Sequence, residues 1–421
     1  EELFTDYIMI LPLSSSLLAV DAAYIYFNKL PVPESIDALL ASDNESKVAF
    51  GGAIALGGVA SILVVNKMFG TDPIGRTWDM FMKFLKQEKS RNIKVDEWID
   101  KYNDLHDDKK DGVDGRNSAY TTLVNSYYEL ATLFYEWGWG QSFHFAYQLK
   151  GESFKEAIAR HEYFLAGRLG VSEGDKIIDV GCGIGGPMRN IARFTRANVT
   201  GVTLNEYQVL RGNELNRAAG LESTARSVQA DFMKLPFDAN TFDGAYAIEA
   251  TCHAPRRQDV YGEIYRVLKP GQVFATYEWC LTPKYDANNA EHRLIKKKIE
   301  EGDGLPDMAT QQECVDALTD VGFEMVEARD MALDNIFGGD PWWLPLHPSP
   351  NPFTFRFQMH PVGKFLVKNI LWVLEGIWLV PSGTYKVEEM LQQGGWGCER
   401  GGYHGIFTPM WLMVARKPLN Y

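Results

Sequence analysis

Paired cysteines are missing from this chain. Its five (Cys182, Cys252, Cys280, Cys314 and Cys398) are widely spaced and never form a C-x-x-C pair. That excludes a disulfide framework or a zinc site as the organising device, and no metal is expected; a reducing compartment fits. A basic surplus is missing too. The net charge is −13, whereas a nucleic-acid binder needs a cationic surface to displace counterions from phosphates. No motif recurs at a fixed period, which excludes a solenoid. What is present is apolar mass: 46% of 421 residues are hydrophobic, enough for one large domain with appendages or for two domains. The chain starts at Glu1 rather than a methionine, as expected of a processed or truncated start.

Residues 48–65 (VAFGGAIALGGVASILVV), between Lys47 and Lys67, form an uncharged run of 18 residues. It is just long enough to cross a hydrocarbon core as a helix; a buried helix or re-entrant segment is the alternative. Residues 7–27 are a second apolar stretch, interrupted by Pro12 and Asp21, and read as another span or an interfacial helix. Lysines and arginines crowd the stretch after the run, while Glu1, Glu2 and Asp6 precede it. The positive-inside rule therefore places everything after residue 66 in the cytosol. Ile74, Trp78, Phe81 and Leu85 recur at helical spacing among lysines, the pattern of a helix in a headgroup layer or of one packed on a globular domain. The charged, glycine-punctuated residues 104–117 read as a linker.

Beyond residue 118 the pattern alternates as α/β proteins do. Short β-rich runs at 198–203, 225–229, 242–248 and 272–279 are separated by amphipathic helical stretches such as 206–219 and 259–268. The expected fold is a doubly wound, Rossmann-like sheet, with 323–329 and 407–416 as its last two strands. The roughly 75 residues between them, 331–405, are too many for a loop and should form an inserted cap.

Ile177-Ile-Asp-Val-Gly-Cys-Gly-Ile-Gly-Gly-Pro187 runs an apolar strand straight into a glycine-rich loop and a helix start, a cradle for a nucleotide-like ligand. Gly181, Gly183 and Gly186 satisfy the dinucleotide pattern G-x-G-x-x-G, with Glu206 20 residues on. The same letters satisfy the D-x-G-x-G-x-G of S-adenosylmethionine (SAM) methyltransferases, with Asp179, Gly181, Gly183 and Gly185. Asp179 favours SAM, whose amino-acid end carries an ammonium; a pyrophosphate would be repelled. Ligands of such sheets bind beyond the carboxyl ends of the strands. There the chain offers Asn205 and Glu206 after the second strand, Asp231 and Phe232 after the third, and Glu249, Thr251 and His253 after the fourth. Asp231 is placed to accept from an adenine amino group, with Phe232 flanking the ring.

Residues 134–146 (FYEWGWGQSFHFA) hold six aromatics and one histidine in thirteen positions. Such density is commonest in cores, but the interleaved Glu136, Gly138, Gly140 and His144 suggest a turn-rich wall of an apolar pocket. Tyr135-Glu-Trp-Gly-Trp-Gly140, Ser142-Phe-His-Phe145, the loop at 179–186 and Ile248-Glu-Ala-Thr-Cys-His-Ala-Pro255 together resemble sterol C24-methyltransferases. The likeness covers roughly residues 118–418 and extends to Glu301-Gly-Asp-Gly-Leu-Pro-Asp307. Trp137, where the family more often has tyrosine or phenylalanine, Tyr163 in His161-Glu-Tyr163, and Arg256 after Pro255 depart from its pattern.

The resemblance implies a seven-stranded class I methyltransferase core (118–330), a sterol-binding cap (331–405) and a last strand with tail (406–421). These follow a membrane-anchoring region (1–70) and a basic segment with linker (71–117). It implies methyl transfer from SAM to C24 of a Δ24 sterol, a hydride shift from C24 to C25, and loss of a proton. SAM would be held by Asp179, Gly181, Gly183, Gly185, Asn205, Asp231 and Phe232. The sterol would meet Trp137, Trp139, Phe143, His144 and Phe145, with Glu152, His161 and Glu162 orienting its hydroxyl or packing. Tyr135 would stabilise the cation, and Glu136, Glu249 and His253 are the alternative bases. An endoplasmic reticulum membrane location is expected, with the catalytic part facing the cytosol; a homo-oligomer is left open. The rival readings are a small-molecule or phospholipid-headgroup methyltransferase and a non-catalytic lipid-binding protein. Residues 364–380 read as a helix over the sterol mouth or at the bilayer surface, or as core.

Overall fold

Ile177 and Ile178 are both fully buried, yet they belong to different cores. That follows from a strand covered on both faces, where successive side chains point to opposite sides. The structure, a computed structural model, describes residues 95–106, 112–334, 338–351, 355–376 and 380–419. The apolar runs 48–65 and 7–27 and the basic stretch at 74–85 lie outside the described residues.

Helices α1 (Val95–Leu105), α2 (Gly112–Ser118), α3 (Tyr120–Gly138) and α4 (Phe154–Leu169) precede the sheet. Then β1 (Lys176–Val180), α5 (Gly186–Thr195), β2 (Asn198–Thr203), α6 (Glu206–Ala218) and β3 (Ala225–Gln229) alternate. They are followed by β4 (Gly244–Ile248), α7 (Arg257–Val267), β5 (Val273–Leu281), α8 (Ala290–Asp303), α9 (Gln311–Asp320) and β6 (Glu324–Asp330). Helices α10 (Pro361–Gly376) and α11 (Thr384–His404) lead to β7 (Phe407–Arg416). The strand order is β3-β2-β1-β4-β5-β7-β6. β1 to β5 are parallel, and β7 runs antiparallel to both neighbours. The sheet is thus the expected seven-stranded one, with a reversed strand inserted between β5 and β6. The order reverses between β1 and β4, which opens the ligand crevice at their carboxyl ends.

Two readings of local structure are corrected. Within the stretch read as a linker, residues 112–118 form α2, where Arg116 is buried and its Nε donates to the Pro306 carbonyl at 2.8 Å. A tertiary contact outweighs the glycines there. The aromatic run read as turn-rich begins inside a helix. Residues 134–138 are the last turn of α3, and irregular backbone starts only where Trp139 and Gly140 both donate to the Tyr135 carbonyl.

The chain forms two compact units. One, Asp96–His360 with Lys386–Tyr421, contains the sheet; the other contains Pro361–Tyr385. In the first, α8 and α11 touch backbone to backbone: a Cβ on Gly302 would lie 2.1 Å from the Gly394 nitrogen. Only glycine permits that approach. In the second, α10 exposes Val362, Phe365, Leu366 and Trp372. Among the described residues no helix is long and apolar enough to cross a membrane.

Candidate active site

A cavity of about 760 Å³, counted out to its open mouth, lies at the carboxyl ends of β1 to β4. Its floor is the glycine loop, Gly181 to Ile184. Gly181 has φ +85°, and a Cβ there would meet that of Ala250 at 2.3 Å, so the loop requires glycine. The Gly181 and Cys182 N–H groups both donate to the Val202 carbonyl at 2.9 Å, fixing the loop on β2. Behind it the first turn of α5 offers backbone N–H groups, as helix starts do.

Asn205 caps α6 with its Oδ1, which accepts from Gln208 N–H at 3.0 Å, while its Nδ2 donates to Glu129 at 3.1 Å. It lines the cavity; Glu206 does not. Asp231 and Phe232 also line it, and Asp231 Oδ1 accepts from Met233 N–H at 2.8 Å. The opposite wall is Tyr120, Val124 and Tyr128 of α3, then Phe143 and His144.

Glu249 follows β4 with φ +52°, a left-handed backbone that costs energy for a side chain with a Cβ. The turn aims its carboxyl at two donors, Phe145 N–H at 2.8 Å and Trp279 Nε1 at 2.7 Å. Burial pushes its pKa up to about 8. His253, in the 3₁₀ turn Thr251–His253, has Nδ1 3.1 Å from the Gly304 carbonyl and Nε2 2.9 Å from the Tyr128 hydroxyl. A carbonyl only accepts, so Nδ1 carries the proton and Nε2 accepts from Tyr128. Burial lowers the pKa of His253 to about 4 and keeps it neutral.

The cavity thus gathers Gly181, Gly183, Asn205, Asp231, Phe232, Phe143, His144, Glu249 and His253. Other expected site residues lie off its wall. Asp179 is buried at the end of β1, its pKa raised to about 7 by burial. Gly185 is the N-cap of α5. Glu136 is paired with Arg211 at 2.5 Å. Glu152 is paired with Arg160 at 2.8 Å. Trp139 donates from Nε1 to the His144 carbonyl at 2.9 Å, and Phe145 packs in the core against Trp279. The Trp137 side chain lies outside what the structure describes.

His161 stacks on Tyr277 with ring centres 3.7 Å apart, and burial holds its pKa well below the usual value. Glu162, fully buried, accepts from Ser142 at 2.7 Å, His144 at 3.1 Å and Asn190 at 2.6 Å. Burial opposes charge on His144, but Glu162 outweighs it and raises the pKa. This buried set ties the aromatic segment to the helix that follows the glycine loop.

Tyr135 packs tilted against Phe143, at 5.3 Å between ring centres, and its hydroxyl meets that of Tyr127 and the Asp303 carboxylate, the latter at 3.4 Å. Burial pushes Asp303 up to about 7, partly offset by bonds from Cys398, Tyr135 and Tyr127. Sequence reasoning missed Asp303, Tyr120 and Tyr128. Tyr120, Val124 and Tyr128 recur every four residues, a stripe along one face of α3 that was open to reading.

Residues 178–276 match a family model of a methyltransferase domain, and residues 354–419 match one described as sterol methyltransferase C-terminal. A cycloartenol-C-24-methyltransferase of Arabidopsis thaliana is 52% identical over 321 residues, 76% of this chain and 94% of that protein. A sterol 24-C-methyltransferase of Kluyveromyces lactis is 46% identical over 310 residues, 72% of this chain and 83% of that protein. The chain belongs to the sterol C24-methyltransferase family.

This sterol C24-methyltransferase is a SAM-dependent C-methyltransferase of sterol biosynthesis. Its sheet is that of class I methyltransferases. A mycolic acid cyclopropane synthase complexed with SAH and CTAB superposes with a TM-score of 0.54 at 17% identity, covering 70% of this chain and 98% of that one. At that identity the likeness is one of fold.

Proposed function

We propose that the enzyme methylates C24 of a Δ24 sterol side chain inside the described cavity, with SAM seated on the glycine loop. One observation carries the reading. The loop at Gly181–Gly183, the aromatic-run residues Phe143 and His144, and Glu249 and His253 all line one cavity. Donor and acceptor segments far apart in sequence thereby share a wall.

The residues fit SAM: a glycine-loop cradle, carboxyl groups but no lysine or arginine among the described residues of the wall, and an aromatic flank at Phe232. When bound, SAM supplies an electrophilic methyl on a sulfonium. Gly181, Gly183 and Asn205 hold the amino-acid and ribose parts, and Asp231 accepts from the adenine amino group. The walls then serve chiefly to position, because methyl transfer needs the alkene held about 3–3.5 Å from the methyl. Phe143, with Tyr135 packed behind it, excludes water and stabilises positive charge by about 0.5–2 kcal/mol per aromatic face. Glu136, Glu152, His161 and Glu162 act as framework off the wall: Glu136 and Glu152 are paired with Arg211 and Arg160, His161 stacks on Tyr277, and Glu162 backs the wall residue His144.

Residues 48–65 anchor the enzyme in the endoplasmic reticulum membrane, where sterols dissolve. The exposed apolar residues of α10, Phe365 and Trp372 among them, add an interfacial contact. The test is an assay of purified protein with labelled SAM and a panel of Δ24 sterols, with mass analysis of products. Calorimetry on the same sample reads SAM binding. Methylation of no sterol, despite SAM binding, would sink the reading.

A further inference from the structure

We infer that Tyr128 is the group that takes the proton from the methylated sterol, with His253 receiving Tyr128's own proton behind it. The inference rests on the sterol-methylation reading and adds to it the route by which the proton leaves.

Three groups were open as the base from sequence, and the geometry separates them. Glu136 is off the cavity and paired with Arg211. Glu249 is on the cavity, but its carboxyl is pinned toward the protein by Phe145 N–H on one oxygen and Trp279 Nε1 on the other. Burial also favours its protonated form at neutral pH. His253 is on the cavity and neutral, yet its accepting nitrogen is capped by the Tyr128 hydroxyl at 2.9 Å. A proton bound for that nitrogen therefore passes through Tyr128, which itself lines the cavity from α3.

The pair is held from both sides. Nδ1–H of His253 donates to the Gly304 carbonyl at 3.1 Å, which fixes the tautomer and aims Nε2 at α3. The two rings meet edge to face, their centres 5.4 Å apart, and Tyr127 packs edge-on against Tyr128 at 5.1 Å. Tyr128 donates to His253, so the lone pairs of its oxygen remain for the substrate.

The step balances. After the hydride shift the positive charge is at C24. A C–H bond on a neighbouring carbon breaks, and its electron pair becomes the new C=C bond. The proton goes to the Tyr128 oxygen as that residue's own proton moves to His253 Nε2. The imidazolium that results keeps its bond to Gly304 and releases its proton to solvent after the product leaves. A weak base suffices, because a C–H beside a carbocation is a far stronger acid than imidazolium; position is what matters.

The neighbouring hydrogens lie on the transferred methyl, on C23 and on C25, so a fixed acceptor selects one alkene and its loss should mix them. The test is a single turnover of the full chain with SAM bearing a trideuterated methyl and a Δ24 sterol. Alkene position and retained deuterium are read by mass. Wild type should give one dominant alkene. Tyr128→Phe should bind SAM normally and still methylate the sterol. Its final step should slow by roughly 100-fold, with products spread over alternative alkenes and water-quenched alcohol. His253→Gln should spread them the same way, and it decides the matter if Tyr128→Phe no longer binds SAM. The inference is overturned by a Tyr128→Phe enzyme with wild-type rate and alkene partition. It is equally overturned by one that binds SAM but forms no methylated product. A wild-type enzyme that methylates no Δ24 sterol overturns the functional reading, and this inference with it.

Discussion

Glu136 is clamped by Arg211 at 2.5 Å, in an ion pair whose side chains are 8% and 11% exposed. The pair joins α3 to α6, so a residue of the aromatic motif that looks catalytic in sequence is a strut between helices. Glu136→Ala should destabilise the fold by about 1–3 kcal/mol, a moderate loss because Arg211 keeps Glu214 as a second partner at 2.7 Å. Denaturant unfolding reads the loss, while the alkene product should keep its wild-type identity. A changed product with unchanged stability would return Glu136 to the chemistry.

Gly181→Ala adds a Cβ at φ +85° and 2.3 Å from that of Ala250. Strain of about 1–3 kcal/mol should weaken SAM binding by roughly 10- to 100-fold. The double variant Gly181→Ala with Ala250→Gly removes the clash and keeps the left-handed backbone, so calorimetry should find its affinity between the two. Equal affinities for single and double variants would mean that the backbone angle alone matters.

Asp303 links stability to pH. Its folded pKa of about 7 lies above the ordinary 3.8, because burial favours the protonated form. The folded state therefore binds this proton more tightly than the unfolded chain does. The stabilisation is fully present below about pH 4 and is lost as pH rises to about 7, a swing of roughly 3–4 kcal/mol. Asp303→Asn cannot titrate and should escape that loss. The stability difference between variant and wild type, followed by urea unfolding from pH 4 to 8, should move in the variant's favour as pH rises. A flat difference would show that Asp303 titrates normally.

Removing residues 1–70 should release the enzyme from carbonate-washed membranes with SAM affinity intact. If the shortened chain stays wholly in the membrane pellet, the anchor lies elsewhere, and α10 with its exposed Phe365 and Trp372 becomes the place to look.

The sheet was legible because most of its strands are short β-rich runs bounded by turn residues, and β2, β3 and β7 begin and end where the pattern said. The cavity was legible at the strand ends, where topology alone gathers Gly183, Asn205, Asp231 and Glu249. Pairings across sequence were not. Glu136 announces no Arg211, 75 residues away. Asp303 reads as one more acid in a charged helix until α11 brings Cys398 to within 3.7 Å of it. Tyr128 gains its meaning only from His253, 125 residues on. In each case the deciding contact is one of tertiary geometry, which periodicity does not encode.

Among the described residues β7 is the last strand in chain order, yet it lies inside the sheet, and β6 pairs with it alone. As the chain emerges from the ribosome, β1 to β5 can assemble while β5 still ends in a bare edge and β6 has no neighbour. Such an edge is a template for wrong pairing. The nascent enzyme is thus exposed to aggregation until its final strand slides into place, and variants that weaken Phe407–Arg416 should depend on chaperones more than variants of the SAM loop.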